Sequence, residues 1–389
     1  MRNGIALFTL LILLSCSSNN DDVRNGSIQT DGVITFNMDD PEYEDFIDIE
    51  ELLDTVIMIP LSNEVLIGQV SKILGISDRI FVFDEQSQSV FIYNLNGDVL
   101  NVISDKGEGP GQYFKIADID LDIRQEQLII FDQFKSKLFY YDLDGNFIKE
   151  NRFYSFARFL AYNPSDSTSF AIFNNYNELM EDQEYNLFTT NESGTLINRY
   201  FPYEGRETRR IKDNYLTRSN EELFYIGHYD NKVYKVDGNE VELKYEFDFG
   251  DRNIPKSVVH DSFDSFEGYV WYLSYFYKAN DYLTFSYVYN KTFITKFANL
   301  KQGTVIHNKL TSSVLHCYAQ GPVRGVLDDY FISVVNPSSF LDYIENGLYP
   351  KQEETKYYHF VDRMKEFKPE DNPVVFLFKF KSCELVHPN

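Results

Sequence analysis

Arg79-Ile-Phe-Val-Phe-Asp84, a polar spacer and Val90-Phe-Ile-Tyr-Asn-Leu-Asn-Gly97 return 48 residues later as Gln127-Leu-Ile-Ile-Phe-Asp132, a spacer and Leu138-Phe-Tyr-Tyr-Asp-Leu-Asp-Gly145. Fainter copies keep the register. Asn191-Glu-Ser-Gly194 ends 49 residues after Gly145, and Val236-Asp-Gly238 ends 44 after that. Each copy reads as strand, short polar loop, strand, tight turn, strand. The Asn-Gly and Asp-Gly pairs mark the turns, since glycine accepts the positive φ that a hairpin's twist demands. A period of about 40 to 50 residues holding four short strands is the signature of a β-propeller blade.

Counting copies outward from this pair places blades at residues 66–105, 114–152, 156–203, 215–250 and 266–308. A sixth is assembled from distant pieces. Tyr330-Phe-Ile-Ser-Val-Val335 and Pro373-Val-Val-Phe-Leu-Phe-Lys-Phe380 supply inner strands, and the orphan Thr55-Val-Ile-Met-Ile-Pro-Leu61 closes the ring as the outermost member. The expected fold is therefore all-β, a six-bladed β-propeller whose N-terminal strand closes the last blade; closure removes open sheet edges that would template aggregation. Two stretches break the pattern. Residues 254–268 suit a short helix, and in Glu354–Phe367 the side chains Tyr357, Phe360, Val361, Met364 and Phe367 recur at helical spacing, as a stripe packed on the propeller.

Composition supports one large β unit. The chain holds 29 Tyr and 34 Phe, residues that fit a half-buried pleated surface. Its formal net charge is -24, which argues against nucleic acid and anionic headgroups, because both are bound by Lys/Arg clusters and Arg209-Arg210 is only a pair. A solvated acidic surface accounts for the charge, with cation binding or attraction of a basic partner as the alternatives.

The first residues say where the chain works. Arg2 precedes an apolar run from Ile5 to Leu14, about half the roughly 20 residues a spanning helix needs. It reads as a signal peptide. Leu13-Leu14-Ser15-Cys16 resembles the bacterial lipobox, which implies acylation of Cys16 and cleavage before it. The expected organisation is signal peptide 1–15, lipidated tether 16–40 and a single propeller domain 41–389. The membrane would be met through the N-terminal lipid alone, at the outer membrane, facing the periplasm or the outside. Cys317 and Cys383 are then the remaining thiols, either paired or separately buried.

Lys106-Gly-Glu-Gly-Pro-Gly-Gln-Tyr113, followed by Ile116-Ala-Asp-Ile-Asp120 and the Asp132 strand, resembles an NHL-type repeat. With the lipobox, the aromatic middle and Asp371-Asn-Pro-Val374, the chain is similar to six-bladed β-propeller lipoproteins of Bacteroidota over residues 40–381. The resemblance implies architecture. It carries no assigned chemistry, since a fold alone does not determine a reaction.

Several residues are candidates for ligand contact. Gly107, Gly109, Pro110, Gly111, Gln112 and Tyr113 form the crossover between two blades, on the face where ligands enter propeller channels. Its backbone could meet a polar substrate, or the loop could be a tight crossover with Tyr113 or Phe114 pinned between sheets. Asp84, Asp132 and Asp230 end equivalent strands; they could converge on Ca²⁺ or cap their own turns. His228 and Tyr229 occupy the corresponding loop of blade four, and His228 is the histidine best placed for Zn²⁺ chemistry. The aromatic block Tyr269 to Tyr289, with Trp271 and Tyr275, either packs between blades or leaves a stacking platform for a glycan-type ligand.

Nucleophile and dinucleotide signatures are missing from the sequence. The expectation is therefore a binding protein for a ligand or envelope protein on its loop face, with no catalysis and no resident cofactor. The alternative is a metal-dependent hydrolase or lyase working in the channel with Ca or Zn.

Overall fold

The computed structural model describes residues 27–30, 32–38, 49–155, 157, 159–163, 165, 169–173, 184–202, 215–227, 229–258, 263–306, 323–347 and 357–382, and over these the strands form six sheets. Five blades are read straight along the chain, from an innermost to an outermost strand. Blade one runs from Lys72–Ile76 to Val99–Ile103, blade two from Asp118–Asp122 to Phe147–Arg152, and blade three from Phe159–Tyr162 to Leu196–Pro202. Blade four runs from Leu216–Ser219 to Glu240–Asp248, and blade five from Val270–Ala279 to Thr304–Ile306. Blade six is composite: Gly325–Leu327, Tyr330–Val335 and Val374–Phe380 are closed by Leu53–Pro60 as the outermost strand. The ring is a six-bladed propeller closed by its N-terminal strand, as the repeats imply. The innermost strand Gly325–Leu327 is an addition, too short to stand out in the sequence.

Strand alternation explains how the blades stick together. In Arg79–Asp84 the side chains Ile80 and Val82 pack with Ile332, Val375 and Leu377 of blade six. Phe81 and Phe83, on the opposite face, pack with Ile119, Leu128, Ile130 and Phe139 of blade two. Both faces are thus buried, which is why these strands read as continuous apolar runs. Turn glycines allow the tight ends. Gly97 has φ +88°, and a Cβ there would sit 1.9 Å from the Pro60 carbonyl oxygen of the closing strand.

Residues 27–37 differ from the tether expected over 16–40. Ser27–Thr30 and Val33–Asn37 form a hairpin, and the second strand pairs in parallel with Glu240–Asp248, so blade four has six strands. Burial of Phe36 against Phe247, with ring centroids 5.4 Å apart, fixes it there. The helical stripe is found at Tyr358–Met364, where Phe360, Val361 and Met364 are buried and Phe360 meets Phe376 edge-on at 5.8 Å. A second helix, Pro337–Glu345, stands outside the elements that the repeats imply; it starts at Asn336-Pro337, a helix start signal. Within 254–268 the described helical piece is one 3-10 turn, Phe263–Phe266. Cys16, Cys317, Cys383 and His228 lie outside the described residues. Among those described, no helix is long and apolar enough to cross a membrane.

The crossovers between blades are held by side chains. Fully buried Asp132 accepts from Phe134 and Lys135 N–H (2.9 and 3.0 Å) through Oδ1, and from Phe114 and Lys115 N–H (2.5 and 3.2 Å) through Oδ2. Asp84 does the same for Gln86, Ser87 and Gly68 (2.8, 3.3 and 2.9 Å). In blade five Asn290 Oδ1 accepts from Gly268 N–H at 2.9 Å. The residue opening a third strand grips the following crossover: Gln88 accepts from Ile116 N–H (2.7 Å), and Asn372 from Ile67 N–H (2.9 Å).

Two predictions follow from this packing. Asp132→Ala leaves four partly buried backbone donors without their acceptor and costs about 2–3 kcal/mol, read from the urea unfolding midpoint at unchanged slope; a loss under about 1 kcal/mol would contradict the bridging role. Lys296 is 6% exposed, and burial lowers its amine to about 8 from 10.5. Between those values the unfolded chain binds the extra proton, so stability rises with pH from about 8. Burial raises Tyr93 and Tyr113 above their ordinary 10.0, which works in the opposite sense at higher pH. Denaturation midpoints should climb from about pH 8 to about 10, and Lys296→Met should flatten the climb.

Candidate functional site

The crossovers into each blade and the loops between second and third strands share one end of the ring. The Gly107 to Tyr113 loop lies on that end and is held from within. Gln112 folds back so that its Oε1 accepts from Gly109 N–H (2.9 Å), and a Cβ on Gly107 would meet that oxygen at 2.1 Å. Gly111 N–H donates to Glu150 (3.1 Å), while the Lys135 ammonium caps the Gly107 and Gln112 carbonyls (2.7 and 2.6 Å). Tyr113 is fully buried, its hydroxyl donating to the Gln88 carbonyl at 2.7 Å. The crossover reading of this loop therefore accounts for its glycines and its tyrosine, and Pro110 sits at its tip.

Phe114 behaves differently from Tyr113. It is 58% exposed and meets Phe134, 62% exposed, edge-on with centroids 6.0 Å apart. Their backbones are both tied to Asp132, so the ring pair stands on a fixed base. Tyr154 and Leu66, in the crossovers into blades three and one, are similarly exposed at 62% and 69%. Leu66 also borders an open cleft of about 500 Å³ with Ile67, Gly68, Asp84, Gln86 and Glu370.

The three aspartates do not converge. Asp84 and Asp132 hold turns and crossovers, as above, and Asp230 accepts from the Tyr234 hydroxyl at 3.2 Å. No three His, Cys, Asp or Glu side chains gather among the described residues.

The aromatic block divides. Phe276, Tyr277, Tyr282, Phe285 and Tyr287 are buried, whereas Tyr269, Trp271, Tyr272, Tyr275 and Tyr289 are partly exposed. The division comes from two bulges in Val270–Ala279, where Trp271, Ser274 and Tyr277 oppose Val288, Ser286 and Thr284. Each bulge contains a tyrosine at positive φ, Tyr272 at 62° and Tyr275 at 51°. A non-glycine residue in that region costs about 1–2 kcal/mol, a strain that marks the strand. The result is a run of edge-on rings, Tyr229 to Phe266 (5.6 Å), Trp271 (5.2 Å), Tyr272 (5.9 Å), Phe293 (6.3 Å) and Tyr275 (5.9 Å). Beyond it the Arg324 guanidinium lies 5.6 Å from the Tyr275 ring.

Arg324 stands at the channel, where the six innermost strands run side by side. Sequence reasoning missed this centre. Arg218, from blade four, reaches Asp120 of blade two side-on, Nε to Oδ1 at 3.0 Å, and Tyr162 N–H donates to Asp120 Oδ2 at 2.7 Å. Lys72 of blade one pairs with Asp118 at 2.8 Å, and Asp118 Oδ2 accepts from Leu160 N–H of blade three at 3.0 Å. Burial pushes the Asp118 carboxyl above its usual value despite Lys72, whereas at Asp120 the cost of burial is outweighed by Arg218 and its carboxyl lies low. The available signal was Asp118-Ile-Asp-Leu-Asp122, acidic residues alternating along a strand with no solvent face.

One solved structure shares this architecture. A search of curated proteins finds no match. The solved structure of a putative exported protein from Bacteroides fragilis superposes with a TM-score of 0.73 at 16% identity, covering 90% of this chain and 100% of that one. A member of the DUF4221 family from Bacteroides vulgatus aligns at TM-score 0.49 and 11% identity, over 85% of this chain and 98% of its own. The first of these likenesses speaks to the fold alone. A family model described as a domain of unknown function, DUF4934, matches residues 33–379, which takes in all six blades and the second strand of the N-terminal hairpin. The chain belongs to the DUF4934 family.

Proposed function

We infer that this protein is a lipid-anchored envelope propeller that holds a ligand or protein partner on its loop face and performs no catalysis. The observation that carries the reading is the Phe114–Phe134 pair, two exposed rings fixed to one buried carboxylate, with Tyr154 and Leu66 on neighbouring crossovers. Apolar surface held rigidly in water is the mark of an interaction site, because hydration of such rings is relieved when a partner covers them. The anchor rests on Leu13-Leu14-Ser15-Cys16, and export on the short apolar run from Ile5 to Leu14 that precedes it. A glycan would stack on the rings, and an envelope protein would bury them.

The alternative of a metal-dependent hydrolase or lyase draws no support from the described residues, whose channel carboxylates are already paired with Lys72, Arg218 and backbone N–H groups. Elemental mass spectrometry of the protein from its native host decides it: stoichiometric Ca or Zn would favour the enzyme.

The binding reading predicts that Phe114→Ser with Phe134→Ser weakens whatever a glycan array or cross-linking in the native envelope captures with the natural protein by at least about tenfold. The unfolding midpoint should hardly change, since both rings are exposed. Capture at equal strength by the double variant would overturn the assignment.

A further inference from the structure

Several donors at the channel are not matched by acceptors. Its cavity, about 40 Å³, is lined by residues of all six innermost strands, among them Lys72, Thr217, Arg218, Tyr277 and Arg324. Arg218 has a side chain 7% exposed, and its Nη1, on the edge away from Asp120, has no hydrogen-bond partner. The neighbouring Thr217 Oγ1 is likewise buried without a partner. The Arg324 guanidinium lies against the Tyr275 ring and near enough to Tyr277 to act on its phenol electrostatically, and among the described residues neither side chain makes a hydrogen bond.

Folded proteins rarely leave buried donors unmatched, so a cluster of them around a cavity points to a ligand or ordered water that completes it. The charge balance says which kind. Among the described residues at the cavity, Lys72, Arg218 and Arg324 are set against Asp118 and Asp120, a local cationic surplus inside a chain of net charge -24. Asp118 and Asp120 already accept from Lys72, Arg218 and backbone N–H groups, which leaves little for a cation and places the free capacity on donors. A carboxylate is acceptor-only, planar and singly charged, and it suits guanidinium forks and hydroxyl donors. The cavity has room for such a group and not for a sugar ring.

We propose that the axial channel is a carboxylate-binding site in which Arg218 Nη1, Thr217 Oγ1, the Tyr277 hydroxyl and the Arg324 guanidinium receive the two oxygens. The carboxylate is either a free small acid or the acidic group of a larger molecule lying at the channel mouth. This site does not depend on the loop-face reading, because none of its donors belongs to the Phe114–Phe134 patch.

The test is calorimetric titration of the purified protein with sodium acetate, and separately with inorganic phosphate and with glucuronate, in chloride-free buffer at constant ionic strength. Saturable one-to-one acetate binding is expected. Arg324→Gln should weaken it at least tenfold; that variant keeps the Arg218–Asp120 pair and is checked by an unchanged unfolding midpoint without acetate. Thr217→Val gives a second reading in the same direction, and Leu100→Ser, on an outer strand, should bind as the natural protein does. Glucuronate binding tighter than acetate assigns the carboxylate to a larger acidic ligand, and acetate at least as tight assigns it to a free acid. No saturable acetate binding, binding equal in Arg324→Gln, or saturation by phosphate where acetate fails would each overturn the proposal.

Discussion

The backbone N–H groups of the crossovers have no neighbouring strand to bond, and this chain satisfies them with side chains placed at strand ends. Asp84, Asp132 and Asn290 reach back to the crossover entering their own blade, and Gln88 and Asn372 reach forward to the next. A carboxylate accepting several N–H bonds gains charge-assisted hydrogen bonds, which are about twice as strong as neutral ones. Because the loops are held this way, their exposed rings are preorganised. Phe114 follows buried Tyr113 and bonds Asp132 through its own backbone, so its side chain faces water without freedom to collapse.

At the axis the same problem is solved with full charges. Asp118 and Asp120 draw in Lys72 and Arg218 from other blades, and they accept from the innermost strand of blade three. Such buried pairs are weak evidence for stability, since desolvation offsets their attraction, but they fix the relative positions of four blades. The strained tyrosines of blade five belong to the same region, since the run of rings they complete ends at Arg324. Loop face and channel are thus rigid for different reasons, apolar packing and backbone caps in one, ion pairs and bulges in the other.

Much of the fold was legible because blade structure repeats a pattern that strands must obey. Alternating side chains that are all apolar, an aspartate at the end of the second strand and a glycine turn before the fourth recur at the spacing of one blade. What does not repeat was harder to see. Val33–Asn37 attaches to blade four through Phe36, a tertiary contact that leaves only a weak alternation in the sequence, and Gly325–Leu327 is three residues long. The capping role of Asp84 and Asp132 was readable from their positions. The channel was not, because Lys72, Asp120, Arg218 and Arg324 come from different blades and meet only when the ring closes. Exposure of Phe114 beside buried Tyr113 was likewise undecidable without the sheet geometry.

The claim that the loop face of blades one and two is where this protein meets its partner is tested most directly by hydrogen–deuterium exchange in place. Exchange would be compared between native envelope fragments and the purified protein. The account predicts slower exchange in the envelope for peptides containing Phe114 and Phe134, with no change in those containing the outer strands at Ile148 and Ile197. Protection confined to the outer strands, or identical exchange throughout, would contradict it.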